Sequence, residues 1–235
     1  LKATQIDITC SPSPHKLDID LTAHAGTHTA RVRIVDRHTN LVYMARDGEV
    51  LRDEPIPDTP AEPTIDKSCL NVEDILDFAA TVDLEEVKPL LLRQIACNSA
   101  IAEEGLTNVW GAQIGRILLD DYGDDVKQRA KAYAAAGSDA RMSGCEMPVV
   151  ILSGSGNQGI TACMPVVVYA RHIGATEEQL CRALLVSDLI TIHQKSGIGR
   201  LSAYCGAISA GVGAGAGICY LLGGDYTAVA HTVVN

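Results

Sequence analysis

The run Ser153-Gly154-Ser155-Gly156-Asn157-Gln158-Gly159 follows the apolar residues Val149 to Leu152 and sets three glycines among small polar side chains. A helix that starts in such a run leaves its first backbone N–H groups without intrahelical partners, at the positive end of the helix dipole. That is a seat for a carboxylate or a phosphate. Ser155, Gly156, Asn157, Gln158 and Gly159 are therefore candidate substrate-binding residues, with Asn157 and Gln158 adding directional hydrogen bonds. A tight glycine turn that binds nothing explains the same residues equally well. Gly154, Gly156 and Gly159 also satisfy G-x-G-x-x-G, but a dinucleotide site needs a βαβ unit and an acid ending its second strand about 20 residues on. Glu177 and Glu178 fall near that distance at a helix start instead, and no βαβ unit is visible.

A second cluster runs from Thr191 through His193, Lys195, Ser196, Arg200 and Ser202 to Cys205. It reads as a polar, basic turn between two apolar helices, with Lys195 and Arg200 at the mouth of the second and Cys205 one and a half turns inside it. Cations beside a thiol favour the thiolate, the form that binds iron or attacks carbon. Taken singly, Lys195 and Arg200 also fit solvated loop charges, and Cys205 a core residue. Asp139 and Arg141, in Ser138–Met142, give a polar start to another segment, or a capping Asp with an exposed Arg. His24 and His28 are four apart but fall in strand context, which makes them surface histidines rather than metal ligands. No H-E-x-x-H, P-loop or G-x-S-x-G occurs.

Elements must position these groups. Residues 17–46 alternate with period two: Leu17, Ile19, Leu21, Ala23; then Ala30, Val32, Ile34; then Leu41, Tyr43, Ala45. This predicts three short strands with a turn over Asp36–Asn40. Prolines 55, 57, 60 and 63 exclude a helix or central strand nearby. From Asn71 the period becomes helical, with stripes Ile75, Phe78, Ala79, Val82 and Val87, Leu90, Leu91, Gln94, Ile95. Further helices are predicted over 113–136, ended by Gly137, and over 158–173, 177–194 and 198–222. Asp83 or a neighbour is the expected N-cap of the helix carrying the Val87–Ile95 stripe, and Thr176, followed by Glu178, that of the helix over 177–194. Glycines 211, 213, 215 and 217 would let neighbouring helices approach closely. The fold class is α+β: a β-rich remnant of an α/β domain over 1–51, a Pro-rich linker over 52–66, and a helical catalytic-type domain over 67–235, incomplete at its C-terminus, with a buried Gly/Ala-rich central helix. A thin sheet and the absence of an initiator Met carry the expectation that N-terminal sequence is missing.

Composition narrows the function. The 235 residues carry a formal charge of −10 and no Lys/Arg run, which excludes a nucleic-acid partner and favours a small molecule. Hydrophobic residues make up 47% but aromatics only 4%, so the core is aliphatic. The eight cysteines form no C-x-x-C pair and read mostly as buried thiols in a reducing cytoplasm. Leu201 to Gly224 has no charge and is long enough to span a bilayer, but its Gly/Ala content and missing aromatic belt argue for a buried helix. No membrane partner is expected.

Four segments together, HTNLVYMARDGEV, SDARMSG, SGSGNQGITACMPVVVYARHIGA and KSGIGRLSAYCGAISAGVGAGAGICYLLGG, resemble in order and spacing the L-cysteine desulfidase family, which is related to iron–sulfur L-serine dehydratases. The resemblance covers nearly the whole chain, and GNQG and RLSAYCGA are its most specific parts. It implies a lyase that eliminates thiol or water from a small L-amino acid, L-cysteine or L-serine, to give pyruvate and ammonia. It further implies a 4Fe-4S cluster held by three cysteines, with one iron open as a Lewis acid. Carried over, Cys205 is the metal ligand, and Lys195, Ser196 and Arg200 are the catalytic group. The Gly154–Gly159 turn faces the substrate with Asp139, Arg141, His38 and Thr39.

The family pattern also has a G-C-T-E-P segment and a downstream C-D-G stretch that Leu1–Asn235 does not contain. Cys219 lies 14 residues along the same predicted helix, roughly 21 Å from Cys205 by helical rise, and cannot replace them. The expectation is a chain truncated at both ends that holds no cluster by itself and is inactive, from a cytoplasmic homodimer. Two other readings stand beside it: a pyridoxal-phosphate lyase using Lys195 as Schiff base, and a non-enzymatic amino-acid-binding module.

Overall fold

The alternating stretch folds as strands where the period requires them, and one more strand follows. In the computed structural model, which describes residues 5–56, 66–198 and 205–234, the chain divides into two compact units, Leu1–Ile65 and Asp66–Asn235. The first unit holds β1 (Asp18–Ala25), β2 (His28–Val35), β3 (Leu41–Arg46) and β4 (Glu49–Asp53), an antiparallel sheet in the order β1-β2-β3-β4. The expected three strands are thus four. β4 is exposed at all of its residues, so it carries no alternation to detect. Its signal is the turn: Asp47 and Gly48 take φ of 50° and 86° between the paired residues Arg46 and Glu49, as a two-residue hairpin loop demands. β4 also reaches Asp53, inside the stretch read as linker; positions 57–65 of that stretch lie outside the described residues.

Alternation sorts the two faces of the sheet. Ile19 opposite Ile34 and Leu21 opposite Val32 make an apolar face. On the other, Arg33 grips Asp18 and Arg31 grips Asp20 through paired N–H···O bonds of 2.6–2.9 Å, and Arg31 lies 5.2 Å above the Tyr43 ring. The Arg33 bonds hold the Asp18 carboxyl down at about 2. His24 and His28 are exposed, as surface histidines should be, and His28 pairs with Asp47.

The second unit holds eight helices among the described residues: α1 (Val72–Thr81), α2 (Leu84–Thr107), α3 (Ile114–Tyr122), α4 (Val126–Met142), α5 (Gly156–Ile173), α6 (Glu177–Ser196), α7 (Gly206–Leu221) and α8 (Tyr226–Val234). The fold class is therefore α+β. Asp83 and Thr176 cap α2 and α6 as predicted, Thr176 in a full capping box with Gln179.

Three helix expectations need correction. The span 113–136 is two helices, because Gly123 turns the chain at φ 85° and Asp125 caps a fresh start, while Gly137 is buried inside α4 rather than ending it. The helix expected over 198–222 begins at Gly206, so Cys205 is its N-cap and not an interior residue. In the α1 and α2 stripes, Phe78 and Leu90 turn outward, at 44% and 64% exposure, while Ile75, Ala79, Leu91 and Gln94 turn in.

The aliphatic core is built on Ile75, Ile101, Ile160, Met164, Leu184 and Ile190. The Gly/Ala-rich α7 buries one face between α5 and α6. A Cβ on Gly213 would overlap the Thr191 hydroxyl and the Ser187 carbonyl oxygen, so the α6–α7 crossing exists only because that side chain is missing. Gly211 faces open space and takes no part in it. Among the described residues no helix is long and apolar enough to cross a membrane. All eight cysteines are free thiols, but only Cys163 and Cys181 are buried, fewer than their apolar neighbours suggested.

Candidate functional site

Three helix ends meet at one end of the helical unit. Gly206 packs on Gln158 and Gly217 on Val166, so α5 and α7 run parallel and start side by side. Gly213 meets Thr191 while Gly217 meets Ser187, so α6 is antiparallel to α7. Continuing that register by one turn puts Lys195, buried in the last turn of α6, level with Ser209 in the first turn of α7.

The two parallel starts differ from the other helix starts in one respect. Asn71, Asp83, Asp125 and Thr176 cap α1, α2, α4 and α6 with their own side chains. Asp225 does so for α8, and Asp139 caps α3 from α4 by accepting a 2.8 Å bond from the Ile114 N–H. Ser155 and Cys205, the N-caps of α5 and α7, make no side-chain cap bond, and neither first turn contains an acidic residue. Two positive helix ends therefore adjoin without a carboxylate of their own.

Arg141, in the last turn of α4, adds a full positive charge. Its side chain lies across Gly156, where a Cβ would overlap its Nε, and its Nη1 donates to the Asn157 Oδ1 at 3.1 Å. The glycine at 156 is thus the space that lets a guanidinium reach the first turn of α5. Asn157 holds that guanidinium. Gln158 faces inward, fully buried, its Oε1 accepting from the Ser153 N–H at 3.0 Å. Gly159 is pressed against the Val150 carbonyl oxygen, leaving no room for a Cβ.

The remaining predicted residues divide. Ser196 is exposed, its hydroxyl bonded back to the Ile192 carbonyl oxygen. Asp139 is committed to α3: its carboxylate is a cap, though for a helix distant in sequence. His38 and Thr39 lie exposed in the β2–β3 turn of the other unit. Arg200 lies outside the described residues. Cys205 is exposed at the start of α7, and Cys219 sits at its far end. Among the described residues no three of His, Cys, Asp and Glu gather closely enough to hold a metal ion.

Behind the turn lies a set of buried polar side chains that pattern reading passed over. Asn98 of α2, fully buried, donates to the carbonyl oxygens of Val150 and Gly159 and accepts from the Val150 N–H at 2.9 Å, tying the glycine turn to α2. One turn earlier Gln94 donates to Asp188 of α6 at 2.9 Å. Burial pushes the Asp188 carboxyl up to about 7, against the opposing effect of that bond, and burial beside Asp188 also pushes the Cys163 thiol up. A signal existed: Gln94 and Asn98 are polar residues four apart on an otherwise apolar stripe. Elsewhere on this unit, a cleft of about 360 Å³ near Asp83 and Lys88 is lined by charges engaged with one another, Lys88 with Glu177 and Arg182 with Glu178.

Comparison with known proteins adds a lineage. Residues 21–235 match the family described as serine dehydratase alpha chain. A UPF0597 protein of Desulfitobacterium hafniense is 51% identical over 235 residues, covering 100% of this chain and 55% of that protein. A UPF0597 protein of Lachnoclostridium phytofermentans is 52% identical over 220 residues, 94% of this chain and 52% of its own. One from Treponema denticola is 45% identical over 95% of this chain and 53% of its own. The chain spans about half the length of the curated relatives it matches. No solved structure matches it.

Proposed function

We propose, from the premise that the chain belongs to the serine dehydratase alpha chain family, that it forms the amino-acid-binding part of a lyase acting on a small L-amino acid. The reaction is an α,β-elimination. A base takes the α-proton, the β-substituent (thiolate of cysteine or hydroxide of serine) departs with the bonding electrons, and the aminoacrylate left behind hydrolyses to pyruvate and ammonia. L-cysteine is the substrate proposed first, on the likeness to cysteine desulfidases, with L-serine as the competitor.

The observation that carries this reading is the pair of adjoining helix starts, α5 and α7, that alone among the described helices lack a side-chain cap. An amino-acid carboxylate is the ligand with the right charge and size. Each helix start contributes about 0.3–1 kcal/mol at an exposed site and up to about 2 kcal/mol in a partly buried one. Arg141, held by Asn157, adds a charge-assisted bond of about 1.5–3 kcal/mol. Lys195, buried level with Ser209, is the group proposed to exchange the substrate's proton.

An iron–sulfur cluster implied by the family fits this chain only in part. Cys205 is exposed at the substrate end of α7 and can supply one ligand, but Cys219 is at the other end of the helix. The described residues do not make a three-cysteine site by themselves. The proposed setting is a reducing cytoplasm, in which the eight free thiols stay reduced.

The test is a pyruvate and sulfide release assay on the full-length gene product, purified anaerobically with iron and sulfide supplied. L-cysteine and L-serine are run in parallel, with Cys205→Ala and Arg141→Gln variants. Turnover lost in the first variant, and a KM raised at least tenfold in the second, are expected. Turnover unchanged by both substitutions would reject the site.

A further inference from the structure

Among the described residues, the Gln158 side chain ties the glycine turn to α7, the helix that Cys205 precedes. Its Oε1 accepts from the Ser153 N–H at 3.0 Å, and its Nε2 reaches the Ser209 Oγ of α7 at 3.4 Å. Ser209 in turn donates to the Gly206 carbonyl oxygen at 2.8 Å, in the residue next to Cys205. Gln158 is fully buried, and Gly206 is the space that admits it: a Cβ there would stand 3.2 Å from the Gln158 Cδ. A side chain so enclosed cannot touch substrate, although its place in the glycine turn suggests that it should.

We infer that Gln158 is a positioning residue that fixes the start of α7 against the start of α5, so that a carboxylate seated on the glycine turn is felt at Cys205. This deepens the amino-acid-binding reading and rests on it. Moving Ser153 moves Oε1; Gln158 carries that to Ser209, and Ser209 to the first carbonyl of α7. No proton or electron is transferred. The device transmits geometry only.

The test uses the full-length protein with its thiols reduced and no iron added. Iodoacetamide labelling of each cysteine is followed by mass spectrometry, with and without L-serine, and L-serine and L-cysteine affinities are measured by calorimetry. In the parent protein L-serine is expected to change the Cys205 labelling rate at least threefold and to leave exposed Cys69 unchanged. Gln158→Met, which keeps the volume and loses both bonds, should weaken L-serine binding about fivefold and abolish the ligand effect at Cys205. Ser209→Ala, a milder cut that leaves Gln158 in place, should abolish the ligand effect with less than threefold loss of affinity. A merely structural role would lower thermal stability in both variants yet keep the ligand effect. Ligand-dependent labelling that survives in both folded variants overturns the inference. No L-serine or L-cysteine binding to the parent protein overturns the amino-acid reading and this inference with it.

Discussion

Replacing Asp188 by Asn should stabilise the helical unit, and by an amount that depends on pH. Asp188 is 8% exposed and accepts one bond from Gln94, and burial raises its carboxyl from an ordinary 3.8 to about 7. Below about pH 4 it is protonated in both the folded and unfolded chains and contributes no pH-dependent difference. Between pH 4 and 7 the unfolded chain releases the proton and the folded chain keeps it, so stability falls as pH rises. Above pH 7 both forms are ionised and the loss is complete. A displacement of about three units at about 1.4 kcal/mol each bounds the loss at about 4 kcal/mol. Asn keeps the oxygen that accepts from Gln94 and cannot ionise, so the variant should recover about 2–4 kcal/mol at pH 8 and only about 1 kcal/mol at pH 4.5. For a unit of this size that is a rise in Tm on the order of 10 °C. The assay is guanidinium unfolding at both pH values, followed by the fluorescence of Trp110, the single Trp of the chain. Equal effects at the two pH values, or destabilisation at pH 8, would show that the Asp188 carboxylate has a charged partner and that burial is not what governs it.

Gly213→Ala should destabilise the unit by about 1–3 kcal/mol, because the added Cβ meets the Ser187 backbone and forces α6 from α7; the unfolding midpoint measures it. Asp139→Ala removes the α3 cap and should cost about 1 kcal/mol in the same assay, with KM for the amino acid changed less than twofold. A large KM effect from Asp139→Ala would return that residue to the substrate site.

Periodicity located the first three strands, and cap chemistry located the starts of α2 and α6, because both are written within a few residues. β4 was invisible because an exposed edge strand has no second face to alternate with, and only Asp47-Gly48 betrayed it. The split between α3 and α4 was likewise encoded in Gly123 and Asp125, which the longer apolar period masked. At the candidate site the glycine turn could be read as an anion seat, but the direction of its side chains could not. Gln158 turns in and Arg141 turns across because of what α7 and α4 bring to them, and those contacts join residues 16 to 51 positions apart. Asn98 and Asp188 were missed for the same reason: a polar residue on an apolar stripe shows its purpose only when its partner is in place.

The uncapped starts of α5 and α7 also bear on how the molecule survives in a cell. The other described helices have a side-chain partner at their start, α3 borrowing its own from Asp139 of α4, whereas the N-caps of α5 and α7 supply none, and under the proposed function a bound carboxylate takes that place. A metabolite present at 100 times its dissociation constant adds about 2.7 kcal/mol to the folded state by mass action alone. Starvation for that metabolite would then be registered as faster turnover of the protein itself, before any change in its synthesis.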